Sequence, residues 1–183
     1  DVALGRCPLA RAAVEHPDIK GLALLTSPMA RPPRLTPEKV RALLDTARTM
    51  YDYILIDSPA GLGAGFRLAV CGADRAIVIA TNDASSLRDA QRTVTELDHL
   101  RQVHLIMNRI QTRLLRRLRT TIDDAMNTAG LPLVGVVPED PQVILCANLG
   151  KPLTTRGKRG AALACWNIAQ RLDGNKVPIM KIR

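Results

Sequence analysis

The chain has 183 residues, enough for one globular domain with a sizeable core. Hydrophobic residues make up 46% of it and charged residues 23%, which excludes disordered, collagen-like and mucin-like classes. A formal net charge of +9 suits nucleic acid, an anionic membrane surface, acidic partners or a plain arginine preference, and alone selects none of them. With one Phe, one Trp and two Tyr, the core has to be aliphatic, and binding through rows of stacked aromatics is disfavoured.

Taken in chain order, short apolar runs alternate with segments of helical pattern. Residues 21–26 read as a strand, and the Pro-rich stretch 27–33 as a surface loop. A helix is predicted over 37–50, with Thr36 and Glu38 as its start signal. Residues 51–57 read as a buried strand that delivers Asp57 at its carboxyl end, followed by the turn Ser58-Pro-Ala-Gly61. A strand over 76–81 leads into a helix over 85–100, for which Ser85 or Ser86 is the expected cap. A strand over 103–108 precedes a single helix over 114–129, stopped at Gly130-Leu-Pro132. Residues 133–137 form the last strand and 161–172 the closing helix.

This alternation predicts an α/β fold, one domain over 1–183, with a mainly parallel sheet and helices on both faces. Ligands in such sheets gather at the carboxyl ends of the strands, which makes those ends the candidate site. Asp57 there can bind Mg²⁺ through water and orient a nucleophile beside phosphates, or simply cap the following turn. The strand over 103–108 ends in Asn108, with Arg109 directly after it. An Asn amide both donates to and accepts from a base edge, and Arg stacks on a base or pairs with phosphate. The last strand runs into Pro138, Glu139 and Asp140, a rigid turn with acids that could wall a base pocket.

Two tempting motifs fail. Gly61-Leu-Gly63-Ala-Gly65 has Phe66 where a dinucleotide fingerprint needs glycine. Gly150-Lys151 is followed by Pro152 instead of the Ser or Thr of a phosphate loop, and no G-x-x-x-x-G-K-[ST] run occurs. Cys7, Cys71, Cys146 and Cys165 are too scattered for zinc or a disulfide framework and read as buried free thiols in a reducing cytosol. No apolar run approaches the ~20 residues of a membrane-spanning helix. Five arginines between Arg109 and Thr120 surround Leu114 and Leu118, whose spacing continues to Ile122. The favoured reading is a solvated helix with its stripe on the sheet, unaffected in lipid binding by reversal of Arg116 and Arg117; docking on anionic lipid is the alternative.

Several stretches, in order along nearly the whole chain, resemble the MinD/ParA family of deviant Walker A ATPases. They include Gly5-Arg-Cys-Pro8, Leu35-Thr-Pro-Glu38, the Asp57-Ser-Pro-Ala-Gly61 motif, Ser85-Ser-Leu-Arg-Asp89, Asn108-Arg109, Pro138-Glu-Asp140 and Ala147-Asn-Leu-Gly-Lys-Pro152. The Asp57–Gly61 motif and the Pro138–Asp140 turn point to MinD-like members rather than partition or flagellar-placement relatives. The resemblance implies a P-loop NTPase-like fold and a role in placing the division septum. It implies an ATP- and Mg²⁺-dependent homodimer in the cytoplasm, peripherally bound to anionic membrane, which recruits a septum inhibitor and is released by a topological-specificity factor. On that resemblance Asp57 is the catalytic, Mg²⁺-associated acid, and Asn108, Arg109, Pro138, Glu139 and Asp140 form the base pocket. Ser86, Arg88 and Asp89 belong to a dimer and partner surface, where Gln91 stands in place of an expected second Asp. The family's glycine–lysine phosphate loop is not in this sequence, which begins near the family's G-R-C stretch and ends with Val177-Pro-Ile-Met-Lys-Ile-Arg183. The expectation is a C-terminal portion of such an ATPase, inactive in hydrolysis by itself, with a non-catalytic scaffold as the alternative.

Overall fold

Leu105 and Met107, both 0% exposed, lie side by side with Ile106 in the middle of the best-protected strand of the chain. Successive strand residues point to opposite faces, so consecutive burial means that both faces are covered. The computed structural model describes residues 1–27 and 35–180. It divides into two compact units, 1–73 and 74–183. The loop predicted over 27–33 falls almost wholly outside the described residues, as do the last three residues of the tail.

The second unit contains a parallel sheet of β3 (Ala76–Ala80), β4 (Val103–Ile110) and β5 (Leu133–Pro138), in the order β3-β4-β5. The crossover from β3 to β4 is α4 (Ala84–Thr95), and that from β4 to β5 is α5 (Thr112–Leu118) with α6 (Ile122–Ala129). Beyond β5 come α7 (Pro141–Asn148), a short 3-10 turn over Leu153–Arg156, and α8 (Gly160–Leu172). Ile106, Val134 and Val137 pack under Ala161, Ala164 and Ile168 of α8, while α4 and α6 pack on each other and on β3 and β4. Gly135 lets α8 approach β5 closely, because a Cβ there would run into Ile168. The expected α/β architecture, a parallel sheet flanked by helices, is therefore present. β3 is covered on one face only: Val78 and Ala80 are buried, while Ile77 and Ile79 are exposed.

Element ends follow local chemistry, with two corrections to the sequence reading. The N-cap of α4 is Asp83, whose side chain accepts from the Ser86 amide, and not Ser85 or Ser86. The helix predicted over 114–129 is two helices. Arg119 takes the left-handed conformation with φ 52°, and Thr121 opens α6 in a reciprocal capping box with Asp124. Satisfying those orphan amides competes with continuing the helix, and the Thr121-x-x-Asp124 signal was readable.

The first unit holds α1 (Leu9–Ala12), a two-residue antiparallel pair of β1 (Val14–Glu15) and β2 (Ala23–Leu24), α2 (Pro37–Arg48) and α3 (Ala64–Val70). The strand expected over 21–26 shrinks to β2. Two arginines of α2 tie down the end of α3: Arg41 Nε donates to the Cys71 carbonyl at 3.0 Å and Arg48 Nη2 to that of Gly72 at 2.7 Å. These cations satisfy carbonyls that a helix C-terminus leaves orphaned. The larger correction concerns residues 51–57, predicted as a buried strand. They join no ladder among the described residues, and Tyr53, Leu55 and Ile56 are 67%, 89% and 39% exposed. β-propensity does not make a strand without a neighbouring backbone to pair with.

Thiol chemistry is simple: all four cysteines are free, but only Cys146 is buried, Cys7 and Cys71 being intermediate and Cys165 exposed. No helix among the described residues is long and apolar enough to cross a membrane.

Candidate functional site

The carboxyl ends of β4 and β5 are knitted into one polar corner. Asn108 turns its Oδ1 back to accept from the Arg109 amide at 2.9 Å, which holds Arg109 in the left-handed region at φ 55°. Such a conformation is uncommon for a residue with a Cβ and re-aims the side chain where the ladder breaks register between Met107 and Ile110. The re-aimed guanidinium donates through Nε to Glu139 Oε2 at 2.9 Å, and the Glu139 amide donates to the Ile110 carbonyl at 3.1 Å. Arg109 remains 67% exposed at its side chain, so its outer nitrogens face solvent while the inner one is anchored. A guanidinium fixed on one edge and open on the other can stack on a planar ring or meet an anion.

Asp140 does something different from its neighbour. One carboxylate oxygen accepts from the Gln142 amide at 2.9 Å, capping α7, and the other accepts from the Ala161 amide at 3.0 Å, in the first turn of α8. A single side chain thus anchors two helix N-termini, and Pro141 at the first position of α7 needs no amide partner. Gly160, at φ +49°, is required beside it because a Cβ would collide with the same carboxylate. Around this joint lies a cleft of about 300 Å³ lined by Asp140, Gln142, Leu153, Arg159, Gly160 and Ala162. Its volume is at the small end of ligand pockets. Pro138 closes β5 and faces Ile110 across the ladder.

At the carboxyl end of β3, Thr81, Asp83 and Ser86 form a compact cap. The Thr81 hydroxyl donates to Asp83, the Ser86 amide donates to Asp83 Oδ1 at 2.9 Å, and Ser86 Oγ accepts from the Thr81 amide at 2.9 Å. The Thr81 hydroxyl and then the Ser86 amide hold the Asp83 carboxyl below its ordinary pKa. Of the residues expected on a partner surface, Ser86 is committed to this cap, whereas Arg88 and Asp89 are not buried. Asp89 sits 3.8 Å from Arg92 along the same helix. Gln91 joins α4 to α6, because its Nε2 donates to the Thr128 carbonyl at 2.6 Å. A carboxylate could not donate there.

Asn82 was not anticipated. It follows β3, and its Nδ2 is buried without a hydrogen-bond partner among the described residues, a costly arrangement at a ligand-gathering edge. An amide directly after an apolar strand was the only signal. Asp57 belongs to the first unit, where it is exposed at the end of the unpaired segment 51–57. No cluster of three or more metal-ligating side chains occurs among the described residues.

A parallel α/β sheet with polar groups at its strand ends is the architecture of MinD/ParA-type P-loop ATPases, and solved structures of that class superpose on this chain. A chain of the MinC:MinD cell division protein complex from Aquifex aeolicus matches with a TM-score of 0.90 and 31% identity, covering 99% of this chain and 74% of that one. MinD complexed with Mg-ADP from Pyrococcus horikoshii matches with a TM-score of 0.78 and 26% identity, covering 94% of this chain and 72% of the other. In sequence, the septum site-determining protein MinD of Synechocystis is 32% identical over 98% of this chain and 70% of its own length. That of Bacillus subtilis is 34% identical over 98% of this chain and 69% of its own. No family model matches. The chain belongs to the MinD family.

Proposed function

We propose that this chain works in placing the division septum, as a MinD-type ATPase that binds ATP and Mg²⁺, dimerises and recruits a division inhibitor at an anionic membrane surface. The reading includes release by a topological-specificity factor and a cytoplasmic, peripherally membrane-bound location. Family membership over almost the whole chain carries it. The polar corner at Asn108, Arg109 and Glu139 supports it, because the anchored guanidinium fits a planar base. Of the base-side residues, Arg109 and Asn108 act directly, Pro138 and Glu139 wall the corner, and Asp140 holds the two helices that frame it. Asp57 is assigned to Mg²⁺ through water, a role in which a single carboxylate suffices. Bound Mg²⁺-nucleotide would supply the phosphoryl group and the charge to be stabilised.

The sequence has no glycine–lysine phosphate loop, so the expected turnover of this chain alone is at background. Turnover above background that survives Asp57→Ala would sink the assignment. Displacement of a fluorescent adenine nucleotide reads binding separately: Arg109→Ala should weaken it by roughly tenfold if the guanidinium contacts the base or phosphate.

A further inference from the structure

Helix α5 (Thr112–Leu118) stands apart from the packing of its unit. None of its residues is buried, and it takes no part in the main helix–sheet contacts. Leu114 and Leu118 are 38% and 52% exposed, so the apolar stripe does not lie on the sheet as the sequence suggested. Positions four apart share one helix face, which therefore presents two leucines to solvent. Around them Arg116, Arg117 and Arg119 are exposed and Arg113 is not buried, and none of the four takes part in an ion pair among the described residues. No acidic residue occurs between Arg109 and Thr120. Of the next two acids along the chain, Asp124 is held by the Thr121 amide and hydroxyl, and Asp123 makes no ion pair with these arginines among the described residues.

We infer that α5 is a docking surface for anionic phospholipid. Charge complementarity favours an anionic partner, since four cations that form no ion pair among the described residues are gathered on one short helix and its C-cap. The leucines select lipid over nucleic acid. A phosphate backbone gains nothing from exposed leucines, whereas an interfacial helix buries them at the headgroup–acyl boundary with its arginines among the phosphates. A seven-residue helix with no buried residue is marginal in water, so a surface that buries its apolar face also stabilises its fold. The inference deepens the membrane part of the proposed function and rests on it only in requiring that the whole chain bind anionic vesicles.

The test is co-sedimentation of the full chain with vesicles of phosphatidylglycerol and phosphatidylcholine in equal parts, against phosphatidylcholine alone and against duplex DNA. The double variant Arg116→Glu with Arg117→Glu should lose vesicle affinity by roughly tenfold or more, and Leu114→Ser with Leu118→Ser by several-fold. Arg11→Glu with Lys20→Glu, the same charge change outside α5, should change it by no more than about twofold, as expected if lipid is held by α5 and not by net charge alone. Hydrogen exchange at α5 amides of the unmodified chain should slow on adding anionic vesicles, a readout independent of any variant. Unchanged binding in the α5 variants, an equal loss in the Arg11 and Lys20 pair, or leucine variants without effect together with arginine-dependent DNA binding would each overturn the inference. No binding by the unmodified chain would instead overturn the membrane reading as a whole.

Discussion

Residues 51–57 and strand β4 (Val103–Ile110) share an aliphatic run that ends in polar groups, and they meet opposite fates. In β4, Leu105 and Met107 are 0% exposed and the backbone is laddered on both sides, to β3 and to β5. In 51–57, Leu55 is 89% exposed and no residue joins a sheet among those described. An apolar run becomes a strand when neighbouring backbones take its amides and carbonyls and neighbouring helices cover its side chains. Composition supplies only the willingness.

Hydrogen exchange gives the largest expected contrast. Amides in the middle of β4 should exchange only by global opening, and those of Leu55 and Ile56 at rates near a free peptide, a gap of several orders of magnitude. Protection of Leu55 comparable to that of Met107 would erase the difference between the two regions. Truncation comes next: Met107→Ala should destabilise the chain by about 2–5 kcal/mol in denaturant titration, and Leu55→Ala by less than about 0.5 kcal/mol. A smaller loss is expected at the strand-end joint, where Asp140→Ala removes acceptors from two helix N-termini and should cost about 2 kcal/mol. Asp140→Asn, which keeps one acceptor oxygen, should recover part of it.

The smallest effect is pH-dependent. The carboxyl of Asp83 is held below its ordinary value by the Thr81 hydroxyl and the Ser86 amide, so its stabilisation is present above the unfolded-state pKa. That contribution disappears as pH falls through the lower folded-state value, below about pH 4. Melting temperatures of the unmodified chain and Asp83→Asn should therefore differ at neutral pH and converge in acid. A constant offset would show that the charge of Asp83 plays no part in the cap.

Much of the second unit was legible from residues alone. Runs 76–81, 103–108 and 133–137 became strands within two residues or so, because aliphatic runs of strand length between helical patterns leave few alternatives. Membership of the MinD/ParA class was legible too, through ordered short motifs. The break between α5 and α6 was written in Thr121 and Asp124 but overridden by an apolar spacing that ran across it. The corner at Arg109 was legible as residue types, not as geometry. No pattern announces that Asn108 would hold Arg109 in a left-handed turn against Glu139, or that Asp140 would cap two helices at once.

By itself, then, the sequence determined which segments tend to helix and strand, the aliphatic nature of the core, and the excess of arginine between 109 and 120. Only the tertiary structure decided which apolar runs are covered, what Gln91 and Asp140 hold together, and that the leucines of α5 face outward. The physical reason is the range of the forces involved. Caps, turns and periodicity act within a few residues, whereas burial and ladder pairing depend on partners far away in the chain.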